Sequence, residues 1–324
     1  MKIMYVSHTK EVEMTDGQLG WKNTPKMVEA RGHEVRFILR HQWSEIKKTY
    51  EEFQPDVVAT IGIIGAYVCW LKKIGFVKCP IVHEWTEDYP YMLKRKYWYL
   101  PLGTIEAFLV RNSDLITTAS PSRYRRALDL GKKAELMLYG AQKMPVYGMG
   151  GVRGMYNLKS NRFKIVYTGE QSRQKHVERI ISAVRGLDCD LYLTDTPNPE
   201  MERIAPENVH FLGRLKDQNE VFMLIQAADL CVVTEDNDSV GKLSEYWQYK
   251  KPVLGPRGKL NYYEKNMYLS DDFHETIKEM ITRYPDRYWD DFVKEKQFVK
   301  IPTWDEWVDW WLKEVKQIVT NHSS

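Results

Sequence analysis

Short apolar runs that end in polar, glycine-bearing loops alternate along this chain with segments whose apolar residues recur at helical spacing. "KIMYVS" (Lys2 to Ser7) stops at a loop containing Gly17 and Gly20, as a buried parallel strand does where it meets its crossover. A helix is expected from Thr24 to Ala30, with Pro25 tolerated in its first turn. "RGHEVRFILR" then places Gly32 at that helix's end and Val35 to Leu39 in a second strand. The alternation continues with a helix from Trp43 to Phe53, a strand from Asp56, a helix from Ala66 to Ile74 and the strand "PIVHEW" from Pro80. A helix from Thr104 to Arg111, the strand "DLITTAS" from Asp114 and a short helix after Pro121 follow. Strands and helices alternating at this spacing predict an α/β, doubly wound parallel sheet.

From Ala141 to Ser160 the glycine-rich "AQKMPVYGMGGVRGMYNLKS" has no periodicity and reads as an interdomain linker. The second half restarts the alternation with "FKIVYTG", "HVERIISAVRGL", "CDLYLT", "VHFLG", "NEVFMLIQAA", "DLCVVT", "KLSEYWQY" and "KPVLG". Two Rossmann-like domains are therefore expected, 1–150 and 151–290, with a cleft between them. In the final segment, 291–324, Trp304, Trp307, Trp310 and Trp311 recur at helical spacing, and Leu312, Val315 and Ile318 extend the stripe, which predicts a helix packed on the body of the protein.

The totals narrow the function. A chain of 324 residues exceeds one typical core. Its 47 Lys and Arg against 44 Asp and Glu leave +3, spread along the chain, so no strong nucleic-acid signal follows. Its 4 cysteines form no CxxC pair and read as reduced thiols. With no signal peptide at the start and no apolar run of membrane-spanning length, a cytoplasmic protein, soluble or attached peripherally to a membrane, is expected.

Open α/β sheets bind ligands at the carboxyl ends of their strands. Four loops lie there: Thr9 to Gly20, His83 to Asp88, Gly169 to Lys175 and Glu235 to Lys242. Neither a P-loop nor a G-x-G-x-x-G motif follows a strand, which disfavours P-loop nucleotidases and standard dinucleotide dehydrogenases. Arg173 and Lys175 beside a helix start suit a diphosphate, or form a solvated basic loop. In "DSVGKLSEYW" the amides of Ser239, Val240 and Gly241 open a helix, and Glu245 one turn inside can accept hydrogen bonds from vicinal hydroxyls such as those of a ribose. The alternative for Glu245 is an exposed helix glutamate. "IVHEW" lacks the second histidine of a zinc motif, so no metal is expected there. His83 is read as a contact to a sugar hydroxyl or phosphate, or as a satisfied core histidine.

Taken in order, "MKIMYVS", "ARGHEV", "PIVHEW", "IEAFLVRNSDLITTAS", "KIVYTGEQSRQKHVERIISAV", "VHFLGRL", "LIQAADLCVVT", "GKLSEYWQYKKPVLG" and "PTWDEWVDWW" resemble the GT-B glycosyltransferases, specifically the retaining group called family 4. The resemblance spans nearly the whole chain. It implies a GT-B fold whose C-terminal helix crosses back to the N-terminal domain. It implies that Lys175 holds the donor diphosphate, that Glu245 takes the ribose hydroxyls, and that Ser239, Val240, Gly241 and Lys242 face the phosphate and the transferred sugar. His83 would lie near the sugar, Gly17 and Gly169 would bring backbone close to the donor, and Arg214 and Leu215 would lie by the nucleobase.

Two positions depart from the family pattern. Asn237 stands where a glutamate is usual, and an amide there can still bond sugar hydroxyls. Glu170 stands where an arginine is usual, leaving Arg173 to supply the charge. The implied activity is transfer of a sugar from a UDP- or GDP-linked donor to an acceptor hydroxyl with retention, with neither metal nor further cofactor. The acceptor expected is a saccharide or lipid-linked saccharide. Lys94, Arg95 and Lys96, set among aromatics, could touch an anionic membrane or a nucleic-acid backbone, so a transferase acting on nucleic acid is one alternative. A sugar-nucleotide 2-epimerase and a non-catalytic nucleotide-binding module are the others.

Overall fold

The computed structural model describes residues 1–7, 24–86, 89, 101–140, 145–147, 162–171, 175–238, 241–283 and 300–323. They belong to two compact units, Met1–Gly140 with Pro302–Ser324, and Ala141–Ile301, so the breaks fall after 140 and 301 where the sequence suggested 150 and 290.

The first unit holds a parallel sheet of six strands: β1 (Lys2–Ser7), β2 (Glu34–Leu39), β3 (Val57–Ile61), β4 (Ile81–Glu84), β5 (Leu115–Thr118) and β6 (Ala134–Leu136), in the order β2-β1-β3-β4-β5-β6. β3, β4 and β5 are buried throughout, so they show no alternation of buried and exposed positions, and their polar residues Thr60, His83, Glu84, Thr117 and Thr118 are enclosed with the apolar ones. Successive side chains still go to opposite faces. Met4, Val6, Val58, Ile81 and Ile116 pack on one side with Ile46, Val68, Leu71, Leu109 and Val110 of the helices Ile46–Phe53, Gly65–Lys73 and Leu102–Asn112. Ile3, Tyr5, Val57, Ala59, Val82 and Leu115 pack on the other with Trp304, Trp307, Val308, Trp311, Leu312 and Val315.

That second face belongs to the closing helix Trp304–Ser323. Thr303 and Glu306 form a capping box at its start: the Thr303 hydroxyl accepts from Glu306 N at 3.2 Å and the Glu306 carboxylate from Thr303 N at 2.8 Å. Trp311 stacks on Tyr5 with 5.6 Å between ring centroids. Arg31 bridges to Asp305 at 2.9 Å and Asp309 at 2.5 Å. A Cβ on Gly140 would stand 2.8 Å from the Trp304 Cα, so this glycine admits the helix start. Among the described residues no helix is long and apolar enough to cross a membrane.

The second unit repeats the plan with β7 (Phe163–Tyr167), β8 (Cys189–Thr194), β9 (Val209–Gly213), β10 (Leu230–Val232), β11 (Val253–Gly255) and β12 (Tyr268–Leu269), all parallel, in the order β12-β11-β10-β7-β8-β9. Its core joins Phe163, Ile165, Leu191, Leu230 and Leu254 to Ile180, Ile181, Ile277 and Met280 of flanking helices. The helix expected from His176 starts at Glu178, because His176 sits at φ 51 in the left-handed region. β6, β12 and the helices Pro199–Ile204 and Phe273–Arg283 add to what the sequence suggested.

Candidate functional site

β7 and β10 are neighbours in the second sheet, which brings the loops after them side by side at its carboxyl edge. After β7 the chain turns at Gly169, φ 113, a conformation glycine adopts freely. Gly169 N donates to the Thr194 hydroxyl at 3.0 Å, and a Cβ there would lie 3.3 Å from Lys242 Nζ. The Tyr246 hydroxyl reaches Thr168 N at 3.1 Å and Thr168 Oγ1 at 2.9 Å, pinning the helix Gly241–Gln248 to the end of β7. Lys175 follows, its carbonyl accepting from the Thr234 hydroxyl and its Nζ paired with Glu235 Oε2 at 2.7 Å. This charge pair joins the two loops.

Lys242 and Glu245 lie a turn apart on the helix that faces these loops, the spacing at which helix side chains are neighbours. Lys242 Nζ stands 3.9 Å from the centroid of the Tyr167 ring, a cation–π contact. Burial lowers the Lys242 ammonium to about 8; Lys175 lowers it further, while Glu235 and Glu245 oppose the shift. Burial raises the Glu245 carboxyl to about 7, opposed by the Lys242 charge and by a hydrogen bond from Gln218 Nε2 at 3.1 Å. Both groups thus titrate near neutrality, and the cause for each is removal from water.

The loop after β10 is held from below. Asp236 Oδ1 accepts from Lys259 N at 2.6 Å, and a Cβ on Gly258, φ 131, would meet that carboxylate at 2.6 Å. The Asp238 carbonyl accepts from the Tyr263 hydroxyl at 3.1 Å. Asn237 is half-buried between these anchors, and Glu170 is exposed with its carbonyl taken by the Tyr167 hydroxyl at 3.0 Å. Gly241 is exposed at the helix start; Arg214 is exposed and Leu215 half-buried after the left-handed turn at Gly213, φ 70.

In the first unit His83 is fully enclosed on β4. Its Nδ1 lies 2.9 Å from Thr60 Oγ1 and 3.1 Å from Thr60 O, and its Nε2 lies 3.5 Å from the Tyr89 hydroxyl, so both ring nitrogens face protein. Gly17, Arg173, Ser239, Val240, Lys94, Arg95 and Lys96 lie outside the described residues. Glu235, Gln218 and Tyr246 are the members of this arrangement that sequence reasoning did not single out. Glu235 carried a signal, as the first carboxylate past a buried strand end. Gln218 and Tyr246 carried none, since their partners stand 27 and 78 residues away. Among the described residues no group of His, Cys, Asp and Glu side chains converges as a metal site would require.

No family model matches the chain, and no curated protein matches it. Solved structures do. Sucrose-phosphate synthase from Thermosynechococcus elongatus superposes with a TM-score of 0.74 at 16% identity over 99% of each chain. Anabaena HepE, solved with UDP-glucose, superposes with a TM-score of 0.66 at 13% identity over 100% of this chain and 98% of that one. The UDP-GlcNAc 2-epimerase of Methanocaldococcus jannaschii gives 0.59 at 12% identity over 98% and 100%. With its two six-stranded parallel sheets and this likeness over full length, the chain has the GT-B fold.

Proposed function

We propose that the second unit binds a nucleoside-diphosphate sugar at the carboxyl edge of β7 and β10, and that the protein transfers the sugar to an acceptor hydroxyl with retention of configuration. The observation that carries this reading is the convergence of the Gly169 turn, Lys175, Lys242 and Glu245 on one strand edge, where this class of sheet receives its ligands. Two ammonium groups supply the charge that a departing diphosphate needs as it gains negative charge, without a resident metal. Glu245, in its ionised form, accepts from the two hydroxyls of a ribose. On diphosphate binding, Lys175 shares its charge between Glu235 and the phosphate. The leaving phosphate oxygen takes the acceptor proton on the same face, so no separate base is required.

UDP is the first donor to test, because HepE was solved with UDP-glucose; GDP is the second. A saccharide or lipid-linked saccharide is the acceptor proposed, with Lys94, Arg95 and Lys96 as a candidate contact to an anionic surface. The test is calorimetric titration with UDP, GDP and UDP-glucose, followed by mass spectrometry of a nucleotide-sugar mixture with and without acceptors. Lys175→Ala and Glu245→Ala are each expected to lose roughly tenfold or more in nucleotide affinity, the value of a charge-assisted hydrogen bond. Nucleotide binding that is absent, or unchanged in both variants, sinks the assignment. The fold is shared with a 2-epimerase, and conversion of the donor to its epimer with no acceptor present would establish that activity in place of transfer.

A further inference from the structure

Gln218 opens the helix Gln218–Ala227, whose N-cap Asp217 accepts from Glu220 N at 3.0 Å. From that first turn its Nε2 donates to Glu245 Oε1 at 3.1 Å, joining two helices that are distant in sequence. We propose that Gln218 is the positioning residue of the nucleotide site: its amide fixes one oxygen of Glu245 and leaves the other to receive the vicinal hydroxyls of a ribose. The inference rests on the reading of Glu245 given above.

The chemistry of the two groups supports it. An ionised carboxylate accepts hydrogen bonds at both oxygens, whereas a protonated one offers a donor where a diol needs an acceptor. Burial holds Glu245 near the point where the two forms are equal, about 7, so a small bias decides which form meets the ligand. The Gln218 amide turns its Nε2 donor toward Glu245 Oε1, and this bond lowers the carboxyl's pKa and so favours the ionised form. The charged groups around Glu245 are Lys242 on its own helix and, through Lys242, Lys175 and Glu235 from the loops after β7 and β10. Gln218 is the neutral member of this set and the one that comes from the helix after β9.

Its place in the chain adds a second role. Gln218 directly follows the segment from Gly213 to Asp217, which contains Arg214 and Leu215. One side chain therefore ties the segment assigned to the nucleobase to the carboxylate assigned to the ribose. Occupation of the first fixes the orientation of the second, so base and ribose are recognised together.

The test replaces Gln218 by Met, which keeps its length and removes the donor, and by Glu, which adds a like charge. Two readouts are followed. One is the titration of the Glu245 carboxyl by carbon NMR in the protein without ligand, assigned by its loss in Glu245→Gln. The other is UDP-glucose affinity by calorimetry across about pH 6 to pH 9, with a probe whose diphosphate carries no proton titrating in that range. The Glu245 midpoint is expected to move upward in Gln218→Met and further in Gln218→Glu. The ratio of wild-type to Gln218→Met affinity is expected to be roughly fivefold larger at the acid end than at the alkaline end, where only the lost orientation of the carboxylate remains. A Glu245 midpoint unmoved in both variants, or an affinity ratio that does not change with pH, overturns the inference. Failure of UDP-glucose to bind the wild-type protein overturns the nucleotide reading instead, and the carboxyl titration alone then decides whether Gln218 sets the state of Glu245.

Discussion

Glu84 ends β4 with 7% of its surface exposed, and its Oε1 has no hydrogen-bond partner. Thr117, opposite it on β5, and Tyr5, on the same face, also carry buried hydroxyls without partners. Burial alone raises the Glu84 carboxyl from 4.5 to about 8, so near neutrality the residue is a neutral acid. A carboxyl that ionises near 4.5 when unfolded and near 8 when folded contributes stability that is full below the first value and lost as pH rises through the second. Glu84→Gln, which cannot ionise, is therefore expected to gain on the wild type by about 1.4 kcal/mol per pH unit between those limits. Urea unfolding at several pH values measures this, and parallel pH profiles for the two proteins would exclude a buried neutral acid. "IVHEW" marked this place in the sequence, but neighbouring strand residues point to opposite faces, and which face is sealed depends on helices far along the chain. The sequence put Lys175 and Glu245 forward because the one lies in a loop after a strand and the other inside a helix start. The pairing of Lys175 with Glu235 was not, because it joins residues 60 apart.

At the scale of elements, legibility followed length and burial. β1, β3 and β7 were recognised as mainly apolar segments of five or six residues, whereas β6 is three residues with Glu135 at its centre and β12 is two. The helix Phe273–Arg283 buries Phe273, Ile277 and Met280 along one stripe and leaves much of its surface polar, so its pattern is weak without the sheet it covers. The closing helix shows the opposite case: its tryptophan stripe made it legible, and its start is fixed by contact. Gly140→Ala drives a methyl group against the backbone of Trp304, which flexible side chains cannot relieve. A loss of about 1–3 kcal/mol is expected, as for overpacked cores. Thermal unfolding gives the measurement, and an unchanged midpoint would mean that the helix start is free to shift.

The whole molecule was legible as an order of elements, since two successive alternating blocks with a glycine-rich stretch between them specify two parallel sheets. Each unit has its own core, and the closing helix contributes to that of the first. Trp311→Ala removes the ring stacked on Tyr5 and is expected to cost the first unit about 3–5 kcal/mol. Calorimetry of this variant should show the transition of the first unit lowered, while UDP still raises that of the second, since a ligand stabilises the fold it binds. A single transition that Trp311→Ala lowers and UDP raises as a whole would show that the two units unfold as one.

The first unit is built from two stretches of chain that flank the second, with Pro302–Ser324 returning to a sheet begun at Met1. Chain order then dictates an order of synthesis. Emerging from a ribosome, the second unit has all its strands once translation passes Leu269, whereas Ile3, Tyr5, Val82 and Leu115 await Trp304 to Val315. An apolar sheet face stays open to water, or to a chaperone, until the closing helix has been made. The tryptophan-rich helix is made after every strand of both sheets, and β1, the earliest of those strands, waits longest for it.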